Sequence, residues 1–213
     1  MHQPPTVRFL RPEELRAHAD DFLKRNHPSR TLPIPIEHIV ERLGLNIIPV
    51  PGLQQAYRIV GCMSADMTGI YVDQWVAESR ESRFYFTLAH EMGHIELHAA
   101  IFESLRSGVN SFEAWLRAVR ETPDDVSFRM EWQAHTFAGL VLVPFEALQQ
   151  QYHEALPDVQ TMMSDPALRE VPKEQIRDFA WEALIDRLAH LFGVSNDVIQ
   201  KRLKFEKITP DEL

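Results

Sequence analysis

Two histidines four residues apart constrain the fold of this chain more than any other feature. His90 and His94 stand in a segment whose apolar residues recur at helical spacing. Positions four apart lie nearly above one another on a helix, so both imidazoles can bind one metal ion from the same face. Glu91 lies one position further round, close enough to reach a water molecule held by the ion. The spacing therefore predicts a helix that carries part of a metal centre.

Gly93 lies inside the same predicted helix. A glycine in a helix interior costs about 1 kcal/mol relative to alanine, and the neighbouring sequence offers no local compensation. We therefore expect another element of the fold to approach the helix closely at this residue.

A catalytic zinc site usually has three protein ligands and one open position. From the residues alone, Glu131 is the best candidate for the third ligand, because it precedes an apolar stretch of a second predicted helix. A plain surface role for Glu131 stays open. His98 is an alternative, but three histidines along one helix would approach the ion from one side, so we expect His98 beside the site or in the core. Nitrogen and oxygen ligands suit Zn²⁺ and do not exclude Mn²⁺.

In such a site Glu91 is the expected catalytic residue. Its carboxylate would accept a proton from a water molecule held by the ion. The oxyanion that develops needs a further hydrogen-bond donor. His135, one helical turn beyond Glu131, is the first candidate, and Tyr71 and Tyr85 follow. Packing or surface exposure is an equal alternative for His135.

The order of the predicted elements indicates an α+β fold, with helices, then a small sheet, then helices only. The predicted helices span residues 12–26, 36–43, 80–99, 111–121, 126–142, 144–154, 172–192 and 195–205. Strands are predicted at 45–50, 58–64 and 68–73, in a largely antiparallel sheet. The last strand should run directly into the metal-binding helix and offer a free edge to an extended substrate.

We expect two structural units, a domain over residues 8–156 and a helical unit over 165–208, with a proline-containing boundary between them. Residues 100–125 are interpreted as a helical insertion in the first domain, with a turn at Ser107-Gly108. Two predicted helices joined by Gly193-Val194-Ser195 give the second unit a helix-turn-helix-like pattern. We expect this unit to pack on the core or to dock a protein partner, in preference to reading DNA.

The motif around the two histidines resembles the active-site helix of the ImmA/IrrE family of metallo-endopeptidases. The similar stretch reads Phe-Thr-Leu-Ala-His-Glu-Met-Gly-His over residues 86–94 and continues with Ile-Glu-Leu-His. Further similar stretches follow in the family's order, at residues 35–45, 69–72, 131–138 and 192–195 together with Pro144. The resemblance covers about residues 10–205 and implies a zincin-like metallopeptidase core.

The resemblance also implies His90, His94 and Glu131 as zinc ligands and Glu91 as the catalytic carboxylate. It implies an endopeptidase that cleaves a protein, a transcriptional repressor or similar regulator in stress response or mobile-element control. An alternative is a zinc-containing binding module that docks a repressor or antitoxin without efficient proteolysis.

Three features depart from the family pattern. Tyr85 stands where an arginine is usual, His135 stands where an asparagine is usual, and the 100–125 segment is long. The two substitutions concern contacts around the ligands or with substrate, and the long segment concerns access to the cleft.

Composition narrows the classes of function and the cellular locations that we expect for this chain. The chain has 22 Lys and Arg against 31 Asp and Glu, and the net charge of −9 disfavours binding to phosphate backbones, so we expect no DNA binding. Cys62 has no partner for an internal disulfide and no activating motif, and we expect a buried small residue. The sequence shows no leader pattern and no apolar run of membrane-spanning length, so we expect a cytoplasmic protein.

Overall fold

A computed structural model describes residues 6–106 and 109–210, so the predicted turn at Ser107-Gly108 lies outside the described residues. The chain divides into two compact units. Unit 1 comprises Met1–Arg30 and Pro35–Val141, and unit 2 comprises Thr31–Ile34 and Leu142–Leu213. The limits predicted from the sequence, 8–156 and 165–208, stay a prediction, and the compact units divide at an earlier residue.

Unit 1 contains a three-stranded sheet and seven helices within the described part of the chain. They are α1 Pro12–Asn26, α2 Ile36–Arg42, β1 Asn46–Val50, α3 Leu53–Tyr57, β2 Gly61–Met63, β3 Gly69–Asp73, α4 Gln74–Ser79, α5 Glu81–Leu105, α6 Phe112–Arg120 and α7 Asp124–Leu142. The predicted α+β class is confirmed.

The sheet is mixed, with the strand order β1-β3-β2. Strand β3 pairs with β1 in parallel and with β2 in antiparallel orientation. The expectation of a largely antiparallel sheet is therefore wrong, because the chain passes through α3 and β2 before β3 returns beside β1, as a parallel pair requires. The expectation of a free edge on β3 is wrong for the same reason, since β3 is central and the free edges belong to β1 and β2.

Two short helices were not predicted. Helix α3 takes up the chain between β1 and β2, and helix α4 separates β3 from α5, so β3 does not run directly into the helix that carries His90 and His94. Asp73 begins α4 as its N-cap, and its carboxylate accepts hydrogen bonds from the backbone N–H groups of Trp75 and Val76. An aspartate before a short polar segment is a signal that could have indicated this helix.

Helices α5 and α7 cross at Gly93. A Cβ atom placed on this glycine would lie 3.1 Å from the Cα atom of Ala134 and 3.2 Å from its carbonyl oxygen. Phe137, on the same face of α7, contacts Phe22 of α1 edge to face, and both side chains are fully buried. The expected close approach at Gly93 is therefore confirmed, and it brings the two predicted ligand helices together.

Unit 2 consists of helices α8 Phe145–Met163, α9 Lys173–Phe192 and α10 Asn196–Phe205, with a short 3-10 helix, Pro166–Leu168. Helix α8 continues through Pro157, well beyond its predicted end. Gly193 ends α9 in the left-handed conformation. The buried Arg202 forms an ion pair of 2.7 Å with Glu206, so this basic residue of α10 faces inward. Helices α9 and α10 and the turn between them are present, and their helix-turn-helix-like role stays a prediction.

No helix in the described ranges combines the length and the apolar character that crossing a bilayer requires.

Candidate metal centre

Helices α5 and α7 bring together the three predicted ligands. His90 and His94 project from α5, with 3.0 Å between their Nε2 atoms. Glu131 projects from α7, and its two carboxylate oxygens each lie 3.3 Å from one of these nitrogens. One ligand atom from each residue lies within 4.8 Å of the others. This convergence is the geometry of a metal site.

The electrostatics of the three side chains favour an ionised carboxylate. Burial raises the pKa of Glu131, but hydrogen bonds from His90 and His94 outweigh burial and leave that pKa well below its usual range. Burial lowers the pKa of His90, but the hydrogen bond to Glu131 and the negative charges of Glu91 and Glu131 outweigh it, so that pKa is raised. Protons on imidazole therefore balance the carboxylate, and a cation can replace them.

The three residues fit a divalent metal ion. They supply two imidazole nitrogens and one carboxylate, a set typical of catalytic zinc sites that keep an open position. The Glu131 side chain is 58% exposed, whereas the side chains of His90 and His94 are largely buried. The carboxylate side of the cluster thus faces solvent, which leaves room for a substrate or water.

Glu91 lies in the wall of the same cleft and outside the ligand cluster. Its side chain is buried between α5 and strand β2. A Cβ atom placed on Gly61 would lie 2.4 Å from the Thr87 Cγ2 atom and 3.8 Å from the Glu91 Oε1 atom. The absence of a side chain at Gly61 therefore lets β2 approach the helix where the carboxylate lies.

The cleft has a volume of about 500 Å³ and is lined by β2, α5, α6 and α7. Apolar side chains of its wall come from the end of α5 and from α6, within the predicted insertion at 100–125. They are Phe102, Leu105, Trp115, Leu116 and Val119. Arg58, Arg83 and Arg120 add positive charge to the lining. The described residues of the predicted insertion thus shape the cleft and contribute none of the three proposed ligands.

His98 lies behind His94, with 3.2 Å between their Nδ1 atoms. Its Nε2 atom lies 2.8 Å from Oε1 of Gln133, and the Gln133 Nε2 atom donates a hydrogen bond of 2.8 Å to the backbone oxygen of Arg8. Burial lowers the pKa of His98 to about 4, so its ring is neutral at pH 7. Sequence reasoning missed Gln133, because no local pattern links it to residues so distant along the chain.

His135 lines the cleft, with its ring centroid 5.2 Å from that of His90. The two tyrosines that we considered with it lie elsewhere. Tyr71 packs edge to face on Phe112 and lines a separate cavity. The Tyr85 hydroxyl donates to Glu81 at 2.9 Å, and burial with this bond raises the pKa of Tyr85 to about 12. Neither tyrosine is among the residues that line the cleft, and a role for either at the metal centre stays a prediction.

Cys62 lies on β2 and also lines the cleft, although it is half-buried where full burial was expected. Burial, together with the negative charge of Glu91, raises the pKa of its thiol to about 12. The thiol is thus protonated at neutral pH, which disfavours a role as nucleophile.

The fold resembles that of a Mycobacterium tuberculosis transcriptional regulator, with a TM-score of 0.52 and 16% sequence identity over 89% of this chain and 55% of that one. The chain thus spans about half the length of that regulator. No curated protein matches the chain significantly. The family model of Peptidase M78, described as the IrrE N-terminal-like domain, matches residues 40–204, which include the three clustered side chains. The chain therefore belongs to the Peptidase M78 family of IrrE N-terminal-like domains.

Proposed function

We propose that this chain is a metal-dependent endopeptidase and that zinc is its metal. The observation that carries the proposal is the convergence of His90, His94 and Glu131 at a cleft whose wall contains Glu91. Membership of a peptidase family supports the reaction class. The donor set supports zinc.

In this proposal His90, His94 and Glu131 hold the ion. When bound, zinc supplies Lewis acidity that polarises the peptide carbonyl and acidifies water. Glu91 accepts a proton from the attacking water and delivers it to the leaving amine. Burial of Glu91 against β2 holds its carboxylate beside the cleft without making it a ligand.

Strand β2 is the element best placed to orient a substrate. It forms one edge of the sheet, and its three residues line the cleft. The backbone oxygen of Met63 already accepts a hydrogen bond of 2.7 Å from the Trp115 indole, so an extended peptide would pair with the other backbone groups of this edge as an additional strand. His135, also in the cleft lining, is our candidate for the hydrogen-bond donor to the oxyanion.

The proposed substrate is a protein with an exposed, flexible segment, such as a repressor-type regulator. The family resemblance supports this class. The cleft also supports it, because an apolar wall with arginines around it suits a peptide that carries both apolar and acidic side chains.

Substitution Glu91→Gln tests the proposal. The zinc-loaded variant should keep its metal and its fold but cleave a repressor-type protein substrate about 10²–10⁴-fold more slowly, since the proton acceptor is lost. Glu96→Gln is the matched control, because Glu96 lies on the same helix and pairs with Arg25 instead of lining the cleft. Cleavage is followed by mass spectrometry.

Two outcomes would overturn the proposal. One is a purified chain that binds no stoichiometric metal, and the other is a Glu91→Gln variant that cleaves as fast as the unaltered protein. If Glu91→Gln leaves the biological output unchanged while His94→Ala abolishes it, a zinc-containing binding module replaces the peptidase.

A further inference from the structure

A chain of buried hydrogen bonds leads away from the metal centre. It runs from Nδ1 of His94 to His98, from His98 to Gln133, and from Gln133 to the backbone oxygen of Arg8, with distances of 3.2, 2.8 and 2.8 Å. His94, His98 and Gln133 are 4%, 2% and 1% exposed. We call these four groups the relay. Because water is excluded from its side chains, each group must satisfy its hydrogen bonds within the relay.

The outer end of the relay fixes the orientation of Gln133. A backbone carbonyl oxygen can only accept a hydrogen bond, so the amide nitrogen of Gln133 must face Arg8. The amide oxygen then faces His98 and can itself only accept. The flipped amide would set its oxygen against the carbonyl oxygen of Arg8, and two acceptors cannot form a hydrogen bond with each other. His98 must therefore carry a proton on Nε2.

The position of the proton on His98 determines the position of the proton on His94, the proposed metal ligand. A neutral His98 with a proton on Nε2 has a lone pair on Nδ1. That lone pair faces Nδ1 of His94, which must therefore carry a proton. Nε2 of His94 is then the nitrogen left to bind a cation, and it is the atom that faces His90 and Glu131.

The other histidine of the site has no comparable support. Nδ1 of His90 is buried and has no hydrogen-bond partner among residues 6–106 and 109–210. The two imidazoles of the cluster are thus held differently, and the relay acts on His94.

The N-terminal segment that carries the outer end of the relay is bound to α7 by further contacts. Arg129 donates a hydrogen bond of 2.6 Å to the backbone oxygen of Val7. The ring of Phe9 stacks on Trp132, with 5.9 Å between the ring centroids and 8° between the planes. These contacts lie on both sides of the Arg8 carbonyl and hold it against Gln133.

We propose that His98 and Gln133 are positioning residues that fix the protonation pattern of His94, and that the docked segment around Arg8 thereby sets the affinity for the metal. The inference rests on the proposed metal centre and is independent of peptidase activity. It assigns a function to a segment that is remote from the cleft along the chain.

Zinc titration of Gln133→Met tests this inference. Methionine keeps the size of the side chain but cannot orient His98, so zinc affinity should fall by about 10–100-fold, as is usual when a group that orients a metal ligand is lost. Gln74→Met is the matched control, because the Gln74 amide bonds only to the exposed Glu78 in the described structure. Its zinc affinity should match that of the unaltered protein.

A second variant tests the outer end. Arg129→Met alters no group of the relay but removes the hydrogen bond to Val7 that helps to hold the Arg8 carbonyl against Gln133, so it should weaken zinc binding several-fold. Unchanged zinc affinity in both Gln133→Met and Arg129→Met would overturn the inference.

Nitrogen NMR of the unaltered full chain gives a readout that needs no substitution. The relay requires a proton on Nε2 of His98 and on Nδ1 of His94, with and without zinc. An unprotonated Nδ1 on His94 would overturn the inference even if the protein bound zinc. Conversely, a protein that shows the expected protonation of His94 and His98 but cleaves no substrate would support the relay and contradict the peptidase proposal.

Discussion

At the scale of single residues, Cys62 occupies the cleft without a part in the proposed chemistry. Its neighbour Glu91 has two effects that depend on the same negative charge. The carboxylate is a proton acceptor for the proposed reaction, and it also raises the pKa of the Cys62 thiol. The cleft thus holds, side by side, a carboxylate that is the proposed proton acceptor and a thiol that stays protonated at neutral pH.

Cys62 should react slowly with iodoacetamide. With a thiol pKa of about 12, the thiolate fraction at pH 8 is about 1,000-fold lower than for a thiol of the usual pKa near 9. Reaction should become faster as the pH rises towards 12. Alkylation is measured by mass spectrometry, with the urea-unfolded protein as the reference.

Glu91→Gln should speed alkylation of Cys62, because it removes one of the two causes of the raised pKa, and Glu96→Gln should not. If Cys62 reacted as fast in the native protein as in the unfolded chain, its thiol pKa would not be raised by the fold.

At the scale of elements, the crossing of α5 and α7 determines the metal centre. Gly93 and Ala134 let the two helix backbones approach closely, and the three clustered side chains lie within a few residues of that contact. The distance between the helices therefore controls the distance between the imidazoles and the carboxylate.

Gly93→Leu should separate these helices. The added side chain has no space against Ala134, and overpacking of this kind lowers the free energy of unfolding by about 1–3 kcal/mol. Zinc affinity should also fall, since Glu131 moves away from the histidines. Urea denaturation and zinc titration measure the two effects.

Ala100→Leu is the matched control, because it adds a large apolar side chain to an exposed position of the same helix. This variant should change neither the free energy of unfolding nor the zinc affinity. A Gly93→Leu protein as stable as the unaltered protein would show that the crossing is not tightly packed.

The same elements show how far sequence reasoning reaches. The spacing of His90 and His94 predicted their helix, because helical periodicity is a property of neighbouring residues. Glu131 was a candidate from its place before an apolar helical stretch, and the resemblance implied the same ligand. The cost of a glycine inside a helix predicted that some element approaches Gly93, but it did not identify α7 as that element. Strand order and the contact of Gln133 with Arg8 were not predictable, because they depend on which distant segments pair, and no periodicity records that choice.

At the scale of the whole molecule, the three proposed ligands and the relay all belong to unit 1. Metal binding should therefore stabilise that unit. Unit 2 has its own buried core and its own buried ion pair, between Arg202 and Glu206. Added zinc should therefore change the stability of unit 1 more than that of unit 2.

Zinc at about 100 times its dissociation constant should stabilise unit 1 by about 2.7 kcal/mol, because the folded unit binds the ion and the unfolded chain does not. Thermal unfolding of the full chain, with zinc and with a chelator, measures the shift. His94→Ala should abolish it. An equal shift in the His94→Ala protein would place the zinc at another site.

The order of the proposed ligands along the chain has a consequence for biosynthesis. The ribosome releases both imidazoles on α5 first, then α6, and only later the carboxylate on α7. A nascent chain that ends before Glu131 holds an incomplete cage, and domains assemble as their residues emerge. The complete set of proposed ligands is therefore available to an ion only after Glu131 has left the ribosome.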